Sequence, residues 1–372
     1  MHRYRRGSKS GHAKSHGLNE LAFRGAAGRL FRIIASAASH KQIQLPMSKH
    51  VLITGAAGFI GSHLCELLVH EGFWVRAFVH YNSSGRWSNL EQISDEARKH
   101  IEIVPGDIAD AAAVSKAVNG CNWVFHLAAL IGIPYSYVAP SSYVQTNVIG
   151  TLNVLEACRN LAVDRMLHTS TSETYGSAQY VPIDEKHPMV GQSPYSATKI
   201  GADKLAESYW LSFKTPVTTV RPFNTYGPRQ SQRAIIPTII AQALAGDTLH
   251  LGNLDPVRDL TFVTDTARGF LAAARSEKAV GETINLGVGS GPSVRDLVEK
   301  IGKQLGHTLD VETDTARVRP QGSEVVRLIS DNRKAQKLTG WTPQVDLETG
   351  LAATIEHIRR YPDDYRVRGY VI

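Results

Sequence analysis

The apolar run His50-Val51-Leu52-Ile53-Thr54 passes directly into TGAAGFIGSHL, and no other stretch restricts the fold as tightly. Three glycines, Gly55, Gly58 and Gly61, form a G-x-x-G-x-x-G turn where a strand-like pattern gives way to a helical one. Each glycine meets a separate need: a tight turn, backbone approach to a pyrophosphate, and close packing of helix on strand, with the phosphate at the helix N-terminus. The turn therefore predicts a dinucleotide site at the start of a wound sheet.

The next stretch repeats this rhythm. Segments 73–79, 101–104, 123–127, 165–169 and 217–220 read as strands, with helical stretches near 59–71, 110–118, 143–160 and 195–213 between them. Near-continuous apolar strands alternating with helices predict a parallel sheet covered on both faces, an α/β doubly wound (Rossmann) fold. After about residue 221 Pro and Gly recur at Pro222, Gly227, Pro228, Pro237, Gly246, Gly252 and Pro256, and the rhythm loosens. The expected division is a basic leader over 1–47, a dinucleotide-binding domain over 48–221 and a smaller α/β substrate lobe over 222–372, with some segments of the last returning to the first.

Charge sharpens that division. The chain carries a net +7, but residues 1–46 hold nine Lys or Arg and a single acid, so the excess lies in the leader and the body is close to neutral. The overall basicity thus gives no reason to expect a nucleic-acid partner for the body. The leader superficially fits a transit peptide, yet Met47 stands immediately before the first strand, which favours a disordered tail or an overlong start. No run approaches the ~20 apolar residues of a membrane span, and a cytoplasmic protein is expected. Cys65, Cys121 and Cys158 are scattered and lack metal-ligand spacing, so reduced thiols and no metal are expected.

Two further patterns carry chemistry. SPYSATK sets Tyr195 and Lys199 four apart in a predicted helix, hence on one face. An ammonium there, with a nicotinamide cation, is expected to pull the phenol down from ~10 and make it a base for an alcohol being oxidised. TSTSETYG follows a predicted strand and places Thr171, Ser172 and Glu173 at its end, where a carboxylate costs several kcal/mol unless paired, hydrated or used. On the cofactor side, Asp107 of Gly106-Asp107-Ile108 either accepts from an adenine amino group or caps the next helix. The second strand ends in FVHYNSSGR rather than in the acid expected of an NAD site. His80 and Arg86, with the serines between them, leave NAD and NADP both open.

With these motifs the chain resembles the extended short-chain dehydrogenases/reductases that modify nucleotide sugars. It is most similar to the 4,6-dehydratases, such as GDP-mannose 4,6-dehydratases and LegB-type N-acetylhexosamine dehydratases. The resemblance runs from about residue 50 to 358 through TGAAGFIGSHL, GDI, FHLAALIGIPYSY, TNVIGTLNVLEA, TSTSETYG, SPYSATK, RPFNTYGPRQ, RDLTFVTD, RPQGSEV and GWTP. It implies a tightly bound, recycled NAD or NADP against Gly55, Gly58, Phe59, Ile60, Gly61, His80, Arg86, Asp107, Ile108, Leu127, Ala128, Ala129, Tyr195 and Lys199. It also implies that Thr171 binds the sugar O4, Tyr195 takes the O4 proton, and Glu173 removes the C5 proton so that water leaves from C6. Ser172 stands where a related group carries Asp, which leaves open the acid for the departing hydroxyl, Glu173 itself being one candidate.

For the nucleotide-diphosphate sugar the resemblance implies contacts from Asn224, Arg229, Arg258, Arg319 and Glu324, and Arg suits such bidentate recognition. The resemblance also implies a homodimer, with the helices near 143–160 and 195–213 as its face. A UDP-glucuronate-type decarboxylase and a 4-epimerase are the alternatives. The decarboxylases share the Thr-Ser-Glu run, whereas an epimerase needs no base at C5, so Glu173 counts against the latter.

Overall fold

The computed structural model describes residues 49–306, 308–317 and 325–365. The leader over 1–47, Arg319 and Glu324 lie outside the described residues. Seven parallel strands form the central sheet: β1 (His50–Thr54), β2 (Trp74–His80), β3 (Ile101–Gly106), β4 (Trp123–His126), β5 (Arg165–Thr169), β6 (Val217–Pro222) and β7 (Thr283–Leu286). Their spatial order is β7-β6-β5-β4-β1-β2-β3, so the chain winds outward from β1 one way to β3 and then back through β4 to β7. The reversal lies between β1 and β4, where wound sheets open a crevice at the carboxyl ends of the strands.

Alternation along the strands sends side chains to two cores. Val51 and Ile53 of β1 pack with Leu64 and Leu68 of helix α1 (Phe59–His70), and Phe270 packs in the same cluster. Leu52 joins the opposite cluster, with Val114 and Ala117 of α2 (Ala111–Val118) and Val154 and Leu155 of α3 (Gly150–Asn160). Ala206 and Tyr209 of α4 (Pro194–Phe213) also belong to that second cluster. Helices therefore cover both faces, which is why the strands read as continuous apolar runs.

A third cluster gathers Ile236, Ile239 and Ile240 of α5 (Ile235–Ala245), Leu297 and Ile301 of α7 (Val294–Leu305), and Leu351 and Ile355 of α8 (Leu347–Arg360). Between these helices the chain returns to the sheet through α6 (Val263–Arg275) and β7. Short parallel pairs, Asn224–Tyr226 with Leu260–Phe262 and Val257–Arg258 with Arg327–Leu328, lie beside this cluster's segments. Cys65, Cys121 and Cys158 are buried and unpaired. No helix among the described residues is long and apolar enough to cross a membrane.

Candidate active site

The glycine turn closes onto the end of β4. Gly55 has φ +70°, and a Cβ there would lie 2.8 Å from the Ala128 backbone nitrogen, so only glycine fits without strain. A Cβ on Gly61 would collide with the Gly55 carbonyl. Thr54 Oγ1 accepts from the Leu127 and Ala128 N–H groups at 3.2 and 3.1 Å, which holds β4's exit, with Ala129 next in the chain, against the turn. Gly58 is the N-cap of α1 and offers no side-chain cap, and no acid stands in the first turn at Phe59 and Ile60. Such an uncapped helix start presents N–H groups and a positive dipole end to an anion. The cradle fits a pyrophosphate.

On the outer rim, His80 and Arg86 are exposed. Asn82 shapes the loop between them, accepting from Ser84 N at 3.1 Å and donating to the Arg86 carbonyl at 2.8 Å. Asp107 is exposed and accepts from Ala109 N at 2.9 Å. The cap of α2 is instead Asp110, which accepts from Ala112 and Ala113. Ile108 is buried and faces α3, where a Cβ on Gly150 would come within 2.8 Å of it.

The other half of the site rests on a capping box. Ser193 Oγ accepts from Ser196 N at 3.1 Å and Ser196 Oγ from Ser193 N at 3.0 Å, with Pro194 opening α4. Such a box fixes where a helix begins. It sets Tyr195 in the first turn, where the dipole favours a phenolate. Thr171, at the end of the strand extension beyond β5, and the Glu173 carboxylate both lie near enough to act on the Tyr195 phenol. The Thr171 hydroxyl accepts from Glu173 N at 3.2 Å, which curls Ser172–Tyr175 into one tight turn. Thr171 and Glu173 remain half-buried, while Ser172 is buried in that turn.

One electrostatic expectation needs correction. Burial pushes the Tyr195 phenol up, Thr171 lowers it only in part, and the Glu173 and Asp203 carboxylates raise it further. Burial and the carboxylates therefore outweigh Thr171, and the side chains around the phenol leave it raised. Lys199 is buried, which lowers it to about 8 against the raising pull of Asp203, and its Nζ donates to the Thr169 carbonyl at 2.6 Å. The ammonium is held at the strand end rather than spent on the phenol.

The substrate-side residues separate. Asn224 Oδ1 is buried without a hydrogen-bond partner among the described residues, an acceptor that a ligand donor would satisfy. Arg258 is half-buried, with Nη1 donating to the Val257 carbonyl at 3.1 Å. Arg229 is turned elsewhere: at φ +69° it reaches Glu66 at 2.6 Å and Ser62 at 3.3 Å, both on α1. Its guanidinium therefore serves the cofactor-side helix in this structure.

The sequence motifs did not disclose the charged pair beneath Tyr195 and Lys199. Asp203 and Arg221 pair at 2.7 Å, both buried. Asn147 donates to Thr198 Oγ1 at 3.1 Å and to the Leu130 carbonyl at 3.0 Å, tying the loop after β4 to α4. The signal available for Asp203 was its spacing, four residues beyond Lys199. Nothing local marked Arg221 as its partner.

Comparison with known proteins agrees with this geometry. The GDP-mannose 4,6 dehydratase family matches residues 52–354. A dTDP-glucose 4,6-dehydratase of Streptomyces griseus is 34% identical over 83% of this chain and 94% of its own. A UDP-glucose 4-epimerase of Mycolicibacterium smegmatis is likewise 34% identical, over 83% of this chain and 98% of its own. The structure of DesIV, a dTDP-glucose 4,6-dehydratase from Streptomyces venezuelae with NAD and TYD bound, aligns with a TM-score of 0.76 at 30% identity. That alignment covers 84% of this chain and 98% of DesIV. With the glycine cradle, the Tyr195/Lys199 helix and the Thr171–Glu173 turn at one sheet edge, the chain belongs to the GDP-mannose 4,6 dehydratase family of extended short-chain dehydrogenases/reductases.

Proposed function

We propose that the protein is an NAD(P)-dependent nucleotide-sugar 4,6-dehydratase, converting an NDP-hexose or NDP-N-acetylhexosamine to its 4-keto-6-deoxy form. One observation carries the reading: a half-buried carboxylate, Glu173, shares the surroundings of the Tyr195 phenol with Thr171. An oxidation at C4 alone needs the phenol; removing a proton at C5 needs a second base. The epimerase relative is as similar in overall identity as the dehydratase, so the choice rests on Glu173 rather than on overall likeness.

In this reading the uncapped start of α1 and the glycines hold the cofactor's pyrophosphate, and Lys199 supports its ribose. The nicotinamide, when bound, accepts a hydride from C4 and returns one to C6. Thr171 holds the sugar O4 while Tyr195 takes its proton, leaving a 4-keto group that acidifies the C5 hydrogen. Glu173 removes that hydrogen as a proton and passes it to the departing C6 hydroxyl, which leaves as water. A solvent-derived proton is later restored at C5, and the O4 proton passes from Tyr195 to solvent. Asn224 and Arg258 contact the nucleotide diphosphate.

Incubation in deuterated water with UDP- and GDP-linked glucose, mannose, N-acetylglucosamine and glucuronate tests this. The expected product has lost water and carries deuterium at C5. Carbon dioxide from the glucuronate alone, or a C4 epimer of unchanged mass, overturns the reading.

The assembly proposed is a homodimer built on the side of α3 and α4. Leu211 and Phe213 at the end of α4 are 62% and 51% exposed, and burial of such side chains contributes about 1.5–3 kcal/mol each. Sedimentation is expected to read twice the chain mass. A wild-type monomer would exclude the assembly, and a dimer that survives Leu211→Glu would exclude this face.

A further inference from the structure

Asp203 is a buried carboxylate that the proposed chemistry leaves unused. It follows Tyr195 by eight residues and Lys199 by four, so all three share one face of α4, and all are buried. Oδ1 accepts from His168 Nε2 at 3.0 Å, while Oδ2 accepts from Ser170 Oγ at 2.6 Å and Arg221 Nη2 at 2.7 Å. His168 and Ser170 flank Thr169, whose carbonyl receives the Lys199 ammonium, and Thr171 comes next. Asp203 thus grips the strand end on both sides of the residue that holds Lys199.

Arg221 completes the bed from β6, donating to Ser170 Oγ at 3.2 Å and to the Tyr175 hydroxyl at 2.7 Å. The Tyr175 hydroxyl in turn donates to Asn285 Oδ1 at 2.8 Å. The titratable and charged groups facing this cluster are Lys199 and Tyr195 from α4, His168 from β5 and His126 from β4. Arg221 faces it from β6, Glu173 and Tyr175 from the turn, Tyr143 from the segment before α3, and Glu185 beyond Tyr175. Burial would raise the Asp203 carboxyl, but Arg221 first, then His168 and Lys199, hold it well below the usual carboxylate range. His168 and His126 are both held below the usual histidine range, burial first. The ionised partner that Lys199 finds in the bed is Asp203, and a buried ammonium without a counter-charge is strongly disfavoured.

We propose that Asp203 is a positioning residue, clamping the end of β5 to the catalytic helix and supplying the counter-charge that keeps Lys199 an ammonium. The proposal rests on the reading above only in taking Lys199 as the support of the cofactor ribose.

The test uses the full chain as wild type, D203N and D203E, with S170A removing one arm of the clamp and none of the charge. The pH dependence of NAD+ and NADP+ affinity is read by tryptophan fluorescence with no sugar present, and that of kcat/KM with whichever sugar the screen identifies. Asp203 raises Lys199, so its loss lets the lysine deprotonate sooner. In D203N the alkaline limb of both profiles is expected to move down by about one pH unit. D203E should restore the limb to the wild-type position, and S170A should lower kcat several-fold with the limb unmoved.

An unmoved limb in folded D203N overturns the proposal. Should D203N not fold, the D203N/R221Q pair removes both charges without stranding a guanidinium, and the same shift is expected of it. The affinity limb needs no sugar chemistry. If it moves while the screen finds no dehydration, the 4,6-dehydratase reading fails and the role of Asp203 stands; dehydration with an unmoved limb gives the reverse.

Discussion

Tyr195→Phe is expected to lower kcat by about 10³-fold, a loss of about 4 kcal/mol in transition-state stabilisation, which is the range for removing a positioned acid–base group. The substitution takes away one oxygen and leaves the ring, whose edge-on contact with Tyr143 spans 6.3 Å between centroids. The capping box of Ser193 and Ser196 is untouched, so α4 should start where it does now. Melting temperature and NAD(P)+ affinity are therefore expected to stay near wild type while formation of reduced nicotinamide in a single turnover collapses. Burial and the neighbouring carboxylates push this phenol up, so the lowering that makes it a base must come from the bound nicotinamide cation and the helix start. A Phe variant that reduces the cofactor at the wild-type rate removes Tyr195 from the chemistry.

The legibility of this site followed the range of the interactions that build it. Gly55, Gly58 and Gly61 were readable because the turn itself demands them: Gly55 at φ +70°, and Gly58 and Gly61 where a Cβ would press on the Gly55 carbonyl. Tyr195 and Lys199 were readable because helical spacing alone puts them on one face. Arg229 was not: its motif marks it as a cation near a ligand, but its guanidinium pairs with Glu66, 163 residues away in sequence. The Asp203–Arg221 pair was invisible for a similar reason, since it joins α4 to β6 through a sheet edge that no local pattern specifies. Among the segments expected to return to the first domain, β7 carries no mark of its own, because Thr283–Leu286 is a four-residue strand in a Gly-rich stretch. Only its pairing with β6 identifies it as part of the sheet. The sheet order, by contrast, follows once the glycine turn is placed on β1, because parallel strands joined by helices have few ways to wind.

Glu173→Gln separates the two halves of the proposed reaction. The turn that carries Glu173 is held by its backbone, whose N–H donates to Thr171 Oγ1 and whose carbonyl accepts from Gly176 N at 3.3 Å. Glutamine keeps those bonds and nearly the same volume, so Thr171 and Tyr195 should keep their places. Oxidation at C4 needs only those two and the cofactor, and it is expected to proceed within about tenfold of wild type. Proton removal at C5 needs a base that an amide cannot be, so elimination should fall by about 10³-fold or more. The expected signature is reduced nicotinamide accumulating on mixing with the sugar, no loss of water, and no solvent deuterium at C5. Loss of a carboxylate also relieves the Tyr195 phenol of one group that raises it, so any change in the first step should favour ionisation of the phenol at lower pH. If E173Q still exchanges C5 and releases water at the wild-type rate, the base lies elsewhere. If C4 oxidation is lost as well, Glu173 acts on the hydride step instead, and the feature that separates this chain from an epimerase disappears.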